Sequence, residues 1–216
     1  MLNYPLAISF RRFTRGRKID ILDASQQTVL QVRSRLLALK AIVDIYGATN
    51  GRTPLYQIRA DQATGAAEAY TILDSSESAL GYVTRHGMKS RWRSAWDTVQ
   101  DVRQVGLNFR RITSIWNVTY TILDSERQEV GRILEEMPLL KIVGWVLEEF
   151  IPARPFLNPG YRITHCGRPA LYTRKQPAIL NRTFIVQKQG DFPPAAESLL
   201  LSSLVIALMI ERKRGV

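Results

Sequence analysis

The apolar residues of this chain recur in short alternating runs, and four of these runs are versions of one pattern. Residues 70–75 read Tyr-Thr-Ile-Leu-Asp-Ser, and residues 120–125 repeat the same six letters. Weaker versions occupy residues 19–24 and 161–166. Repeats at a near-constant spacing indicate duplicated structural units, so they bear on the fold class before any single residue does.

Each version consists of a β-rich run, a polar segment and a second β-rich run. Asp23, Asp74 and Asp124 open the polar segment in three versions, and His165 takes that place in the fourth. Six residues later stand the aliphatic residues Val29, Leu80, Val130 and Leu171, and the seventh residue is glycine in two versions, at Gly81 and Gly131. Asp favours turns because its carboxylate accepts hydrogen bonds from nearby backbone N–H groups. The pattern therefore predicts four duplicated β-hairpins.

Further strand signals lie between the hairpins, at residues 40–46, 55–59, 116–122 and 183–187. In the third of these, Tyr120 and Ile122 are predicted on one face of the strand, with Thr119 and Thr121 on the other. Many short strands separated by turn residues are typical of a β-sandwich or a β-barrel. One segment interrupts them: apolar residues at helical spacing predict a helical insertion at about 136–151, which Pro138 begins and Pro152 ends.

The run Leu199–Ile210 is apolar on all sides except at Ser202 and Ser203. Such a helix is buried either in a protein core or in a membrane. Twelve residues span only about 18 Å, whereas a bilayer core is about 30 Å thick. A central helix at about 194–212, enclosed by a closed sheet, therefore fits better than a transmembrane helix, which stays as the alternative. Both serines are tolerable inside a barrel because their hydroxyl groups can bond to carbonyl groups of their own helix.

The net charge of +11 and the pI near 10.1 predict attraction to polyanions, such as anionic membranes, nucleic acid or acidic proteins. A basic surface without a dedicated partner is the alternative. The single cysteine excludes an internal disulfide, and the first ten residues carry no secretory signal pattern. These features predict a cytoplasmic protein and leave peripheral association with a membrane open. The candidate residues for binding anions or lipids are Arg11, Arg12, Arg15, Arg17, Lys18, Lys89, Arg91 and Arg93, with Trp92 and Trp96 as candidate interface aromatics.

The sequence shows no pattern that indicates catalysis. His165 and Cys166 are adjacent, so they are expected to form a surface pair in a turn, and a catalytic Cys–His dyad is the weaker interpretation. His86 has no second ligand at metal-binding spacing, and no glycine-rich phosphate loop is present. Asp74 and Asp124 are interpreted as turn formers. We therefore expect a non-enzymatic protein with no catalytic residue, no metal site and no cofactor.

Three ordered features give the chain a family resemblance. They are the repeated hairpin motif, best seen at residues 122–124 and 130–133; the stretch 157–163 that continues to 174–177 and 184–186; and the leucine-rich terminal helix followed by Glu-Arg-Lys-Arg-Gly at 211–215. Together they resemble the tubby C-terminal-like superfamily, in particular the LURP-one-related and phospholipid scramblase-like proteins of bacterial type. The resemblance covers nearly the whole chain.

The resemblance implies one domain over residues 1–216, built as a closed antiparallel barrel of about twelve strands around a hydrophobic C-terminal helix. Tubby domains bind phosphoinositides through basic residues, and scramblases are linked to lipid movement. The calcium segment and the cysteine-rich region of scramblases have no counterpart in this chain. The functional hypothesis is thus a non-enzymatic protein that engages anionic lipid headgroups or another anion at a membrane surface. The alternatives are a nucleic-acid-binding protein and a protein-interaction scaffold.

Overall fold

The computed structural model describes residues 2–10, 18–35, 42–48, 51–61, 67–86, 119–136, 160–176 and 182–213. The described chain forms twelve strands and one helix. The strands are β1 Leu6–Phe10, β2 Lys18–Leu22, β3 Thr28–Arg35, β4 Ile42–Gly47, β5 Tyr56–Ala60, β6 Ala67–Asp74, β7 Ala79–His86, β8 Thr119–Asp124, β9 Glu129–Glu136, β10 Gly160–His165, β11 Arg168–Lys175 and β12 Arg182–Lys188; the helix, α1, is Pro194–Lys213.

The twelve strands form a closed barrel in which every strand pairs with its neighbours in the sequence. All pairs are antiparallel, and β1 closes the barrel by pairing with β12, from Leu6 opposite Val186 to Phe10 opposite Arg182. Closure satisfies the backbone hydrogen bonds that an open sheet would leave at its two edges. The predicted fold class, a closed antiparallel barrel with a hydrophobic C-terminal helix, is confirmed.

Alternation along the strands places aliphatic residues inside the barrel. In β7 and β9 the buried positions are every second residue, and Val83 and Ile133 are fully buried. Tyr120 and Ile122 of β8 are also fully buried, while the alternate residues Thr119 and Thr121 are partly exposed, as predicted. Strands with a period of two therefore supply one continuous inner surface.

Helix α1 fills the space that this inner surface encloses. Every residue from Leu199 to Ile210 is buried, and the helix belongs to the same hydrophobic cluster as the inward residues of the strands. Full burial of a large aliphatic side chain contributes about 1.5–3 kcal/mol before conformational entropy is counted. A helix that is apolar on all sides is stable here because the barrel covers all its sides. Among the described residues, no helix has the combination of length and apolarity that crossing a membrane requires.

The three Asp-containing turns share one hydrogen-bond pattern. The Oδ1 atom of each Asp accepts the backbone N–H groups of the residues two and four positions on, at 2.8–3.0 Å. The third residue after each Asp lies in the left-handed region, with φ of 61° at Gln26, 61° at Glu77 and 63° at Arg127. A β-bulge follows every one of these turns. The predicted hairpins and the role of Asp in them are confirmed.

The fourth hairpin, β10–β11, differs because its turn is shorter. Cys166 and Gly167 alone form the turn, both with positive φ, and His165 pairs with Arg168. In the comparison of the four repeats, Leu171 was matched with Leu80 and Val130, and this match is wrong by one residue. Leu171 pairs with Ile163 in the fourth hairpin, just as Gly81 pairs with Ile72 in the second. Leu171 is therefore equivalent to the repeated glycine.

The two repeated glycines allow close approach of the next hairpin. A Cβ atom on Gly131 would lie 2.3 Å from the carbonyl oxygen of Thr164, and one on Gly81 would lie 2.3 Å from that of Leu123. These distances are shorter than any contact that a side chain tolerates. Glycine at the seventh position therefore lets the hairpins β6–β7, β8–β9 and β10–β11 pair side by side.

The remaining predictions divide between described and undescribed residues. The strand signals at 40–46, 55–59, 116–122 and 183–187 correspond to β4, β5, β8 and β12, within a few residues at each end. The helical insertion at about 136–151 lies outside the described residues, except that Glu136 is the last residue of β9.

Candidate functional site

Most of the binding residues predicted from the sequence lie outside the described part of the chain. Lys18 is described; it is exposed and is the first residue of β2. The others outside the described ranges are Arg11, Arg12, Arg15, Arg17, Lys89, Arg91, Arg93, Trp92 and Trp96. The structure therefore does not test whether these residues form one site.

The two ends of the barrel differ in charge. We call the end at which α1 begins the start rim; it carries the turns 23–27, 75–78, 125–128 and 166–167. We call the other end the far rim; there lie the strand ends Phe10, Lys18, His86, Thr119, Glu136 and Gly160. The described loops, turns and strand ends of the start rim hold the acidic residues Asp23, Asp74, Glu77, Asp124, Glu126, Glu129 and Asp191, against the basic residues Arg52, Arg127, Arg168 and Lys188.

The excess of basic residues belongs to segments that leave from the far rim. Of the 30 basic and 19 acidic residues in the chain, 14 and 4 lie outside the described residues, which is +10 of the net charge of +11. All of these charged residues either follow α1 or join two strands whose described ends meet at the far rim. Most of the net charge therefore belongs to segments that join described strand ends of the far rim or follow α1.

A cavity opens at the start rim, between the first half of α1 and strands β2 to β5. Its volume is about 350 Å³. We call this space the mouth cavity. The residues that line it are Leu2, Ile21, Leu30, Ile45, Leu55, Tyr56, Pro194, Glu197, Ser198, Leu201, Ser202 and Val205. The walls are aliphatic, and the polar groups come mainly from the helix.

Helical spacing explains why the polar groups face the same cavity. The lining residues of α1 recur every three or four positions and so form one stripe along the helix; they are Glu197 and Ser198, Leu201 and Ser202, and Val205. A carboxylate in the first turn of a helix is stabilised by the positive end of the helix dipole. Helix geometry thus places an acidic group and two hydroxyl groups along one wall.

Two long-range hydrogen bonds connect this stripe to the rest of the rim. The backbone N–H of Leu2 donates to both carboxylate oxygens of Glu197 at 3.3 Å. The hydroxyl groups of Tyr56 and Ser198 lie 2.7 Å apart. Glu197 is buried, with 8% of its surface exposed. A buried carboxylate is costly unless it accepts hydrogen bonds, and the Leu2 N–H supplies part of that compensation.

Tyr4 is a second polar group near Glu197. Burial raises the pKa of the Tyr4 hydroxyl well above its ordinary value, and the negative charge of Glu197 raises it further. The hydroxyl is buried and has no hydrogen bond of good geometry within the described residues. We conclude that the Tyr4 hydroxyl stays protonated, because it is buried and lies near the negative charge of Glu197.

The two serines inside the helix behave differently. Ser203 donates its hydroxyl hydrogen to the carbonyl oxygen of Leu199 at 2.6 Å, as predicted. Ser202 is 2% exposed and lines the mouth cavity. Of the two serines that the sequence allows to bond back to the helix, Ser203 makes this bond.

A layer of polar side chains lies inside the barrel toward the far rim. Arg85, Tyr120, Glu135, Tyr161 and Thr173 occupy inward positions on five neighbouring strands, and all are at most 4% exposed. The guanidinium carbon of Arg85 lies 5.9 Å from the ring centre of Tyr120. Sequence reasoning missed this layer, although the period of two that puts Val83 and Ile133 inside also puts Arg85 and Glu135 inside.

The outer surface of β7, β8 and β9 carries a shallow polar groove around His86. The Nε2 atom of His86 lies 3.1 Å from the hydroxyl of Thr121, and Arg132 donates hydrogen bonds to Glu129. The hydrogen bond from Arg132 lowers the pKa of the Glu129 carboxyl. Within the described ranges, no group of three or more His, Cys, Asp or Glu residues is placed to hold a metal ion.

Cys166 is exposed in the two-residue turn of the fourth hairpin. Its sulfur lies 4.0 Å from Nε2 of His165, closer than opposite faces of a strand would allow, because Cys166 has left the strand. Cys166 lies in the turn, as predicted, whereas the partly exposed His165 is the last residue of β10.

Comparisons with protein-family models, curated proteins and solved structures give no match to this chain. The resemblance to tubby-like and scramblase-like proteins therefore stays a prediction from the sequence motifs.

Proposed function

We propose that this protein is a non-enzymatic binding protein that engages anionic lipid headgroups at a membrane surface. The observation that carries the proposal is the difference in charge between the segments that join the two ends of the barrel. The segments attached to the far rim carry a net charge of +10, whereas the described turns of the start rim carry more acidic than basic residues. Such a difference supports one preferred orientation toward a negatively charged surface.

The electrostatic contribution is large enough for reversible membrane binding. A basic residue near an anionic membrane contributes about 1 kcal/mol. Arg11, Arg12, Arg15 and Arg17 lie within seven residues that contain no acidic residue. Lys18, which follows them, is exposed where β2 begins at the far rim. Trp92 and Trp96 are aromatic residues of the kind that pack at the membrane interface.

Cosedimentation with vesicles tests the proposal. We expect the purified protein to sediment with vesicles that contain phosphatidylserine or a phosphoinositide, but not with pure phosphatidylcholine vesicles. Added salt should weaken the binding because it screens charges. Equal binding to both kinds of vesicle would contradict the proposal.

Two variants with the same change in charge test the orientation. The triple variant Arg11→Gln, Arg12→Gln, Arg15→Gln should weaken vesicle binding about 100-fold, since three basic residues contribute about 3 kcal/mol. The control Arg52→Gln, Arg127→Gln, Arg168→Gln removes three charges from the start rim and should bind nearly as the unchanged protein does. Equal loss in both variants would mean that only the total charge matters.

The same experiment addresses the nucleic-acid alternative. A DNA duplex is added to the protein bound on anionic vesicles. Displacement by the duplex at a concentration of phosphate groups well below that of the lipid would favour nucleic acid as the partner. Retention on the vesicles supports the lipid proposal.

A further inference from the structure

The mouth cavity has features that distinguish it from a packing defect. A defect in a core is lined by apolar atoms and stays empty of water. The mouth cavity instead has polar groups along its helical wall, among them Glu197, Ser198 and Ser202. Ser202 is 2% exposed and lines this cavity, so its hydroxyl group is available to a molecule bound there. A hydroxyl group can donate one hydrogen bond and accept others.

The size of the cavity suits a small molecule. Its volume of about 350 Å³ equals that of about twelve water molecules in the liquid, at about 30 Å³ each. Pockets for small molecules begin at about 300 Å³. The cavity is therefore at the small end of that range and suits a chain of several methylene groups.

The cavity opens to solvent beside an exposed aliphatic side chain. Leu55 is 38% exposed and Pro194 is exposed, and both line the cavity where it meets the surface. In the described part of the chain, the large apolar residues exposed to this degree are Leu55 and Leu134. An apolar residue at the opening favours entry of an aliphatic molecule.

The chemistry of the walls selects the head group of that molecule. Ile21, Leu30 and Ile45 supply an aliphatic surface on the strand side. On the helix side, the carboxylate of Glu197 repels an anionic head and accepts a hydrogen bond from a donor. The Ser202 hydroxyl accepts or donates a second hydrogen bond. The cavity thus favours a hydroxyl or ammonium head and disfavours a carboxylate or phosphate head.

We propose that the mouth cavity binds a small aliphatic molecule whose single head group donates a hydrogen bond and carries no negative charge. A medium-chain alcohol and a medium-chain amine are the simplest members of this class. The site lies at the start rim, at the opposite end of the barrel from the basic segments of the lipid proposal, and does not depend on that proposal.

Thermal unfolding with three probes of equal chain length tests the site. Octanol, octylamine and octanoate are compared below their micelle concentrations. Octanol and octylamine should raise Tm, by about 5–10 °C at a hundred times Kd. Octanoate should leave Tm unchanged. Equal shifts with all three probes, or no shift with any of them, would overturn the proposal.

Substitutions at two adjacent serines locate the binding. Ser202→Leu fills the cavity and should abolish the response to octanol, measured by calorimetric titration. Ser202→Ala leaves the space but removes the hydroxyl, and should weaken octanol binding about 3–10-fold. Ser203→Ala is the matched control, since Ser203 is equally buried but bonds to its own helix, and it should bind octanol normally.

These variants also separate the two proposals. Should Ser202→Leu fail to fold, Ser202→Ala still tests the site. Unchanged octanol affinity in Ser202→Ala, or equal weakening in Ser202→Ala and Ser203→Ala, would refute the assignment. Ser202→Ala should sediment with anionic vesicles as the unchanged protein does. If the unchanged protein binds octanol but does not sediment with anionic vesicles, the lipid proposal alone fails.

Discussion

At the scale of single residues, one carboxylate oxygen organises each of the longer hairpin turns. Oδ1 of Asp74 accepts hydrogen bonds from the backbone N–H groups of Ser76 and Ser78 and from the hydroxyl of Ser76. These bonds favour the ionised form and lower the pKa of Asp74, with the Ser76 hydroxyl as the largest cause. The turn is therefore sensitive to acid.

Asp74→Ala tests this sensitivity. The folded-state pKa is lower than the unfolded-state value near 3.8, so the carboxylate stabilises the fold above that pH and loses its effect as the pH falls through the folded-state pKa. Chemical denaturation should show Asp74→Ala to be less stable at neutral pH, with the difference shrinking as the pH falls below 3.8. Ser75→Ala, an exposed neighbour, should show no such pH dependence. A difference that stays constant with pH would contradict this account.

At the scale of elements, the hairpins pack side by side only where a glycine leaves room. Gly131→Ala places a methyl group against the backbone carbonyl of Thr164, which cannot move without breaking the β9–β10 pairing. We expect a loss of about 1–3 kcal/mol in the free energy of unfolding, as for other overpacked sites. Gly51→Ala is the control, because its nearest neighbour would be 3.8 Å from the new methyl group. Urea denaturation of both variants measures the difference, and similar stabilities would exclude a role for close approach.

The sequence predicts these elements because their signals are local. The Asp turns, the alternation around Tyr120 and the spacing of α1 each involve residues that are close together in the sequence. The mouth cavity is different: it joins Leu2 to Glu197, 195 positions apart, and Tyr56 to Ser198, 142 positions apart. Local spacing cannot predict contacts between residues so far apart in the chain. It does predict that Glu197, Ser198 and Ser202 lie on one polar face of the helix.

The inward charges show a second reason for incomplete prediction. Alternation alone would place Arg85 and Glu135 inside the barrel, but the high cost of burying a charge argues for the outside. The structure follows the alternation, since a strand cannot turn one side chain outward without changing its register. The basic candidates such as Arg11 and Lys89 had no periodic signal, and only composition pointed to them.

At the scale of the whole molecule, the barrel is held closed by the seam between β1 and β12. The rings of Phe10 and Phe184 meet edge to face across this seam, with centres 5.8 Å apart. Ile8 is fully buried beside it, whereas the next residue, Ser9, lies on the other face. The integrity of the fold therefore depends on which of two adjacent positions is apolar.

Lysine at each of these positions tests the seam. Ile8→Lys buries an ammonium group in an aliphatic core, which costs several kcal/mol, and should yield aggregated or unfolded protein in size-exclusion chromatography. Ser9→Lys places the same group on the outer face, opposite Asp20, and should stay monodisperse with unchanged circular dichroism. Equal behaviour of the two variants would mean that the seam does not control closure.

The seam also has a consequence for how the protein is made. The ribosome produces β1 first, but its partner β12 follows much later, and α1 follows β12. At about 5–20 residues per second, the chain from Phe10 to Arg182 takes roughly 10 to 30 s to synthesise. During that time each new hairpin adds hydrophobic surface that α1 covers only in the finished fold. A nascent chain of this topology should depend on chaperones that shield it until its last segment arrives.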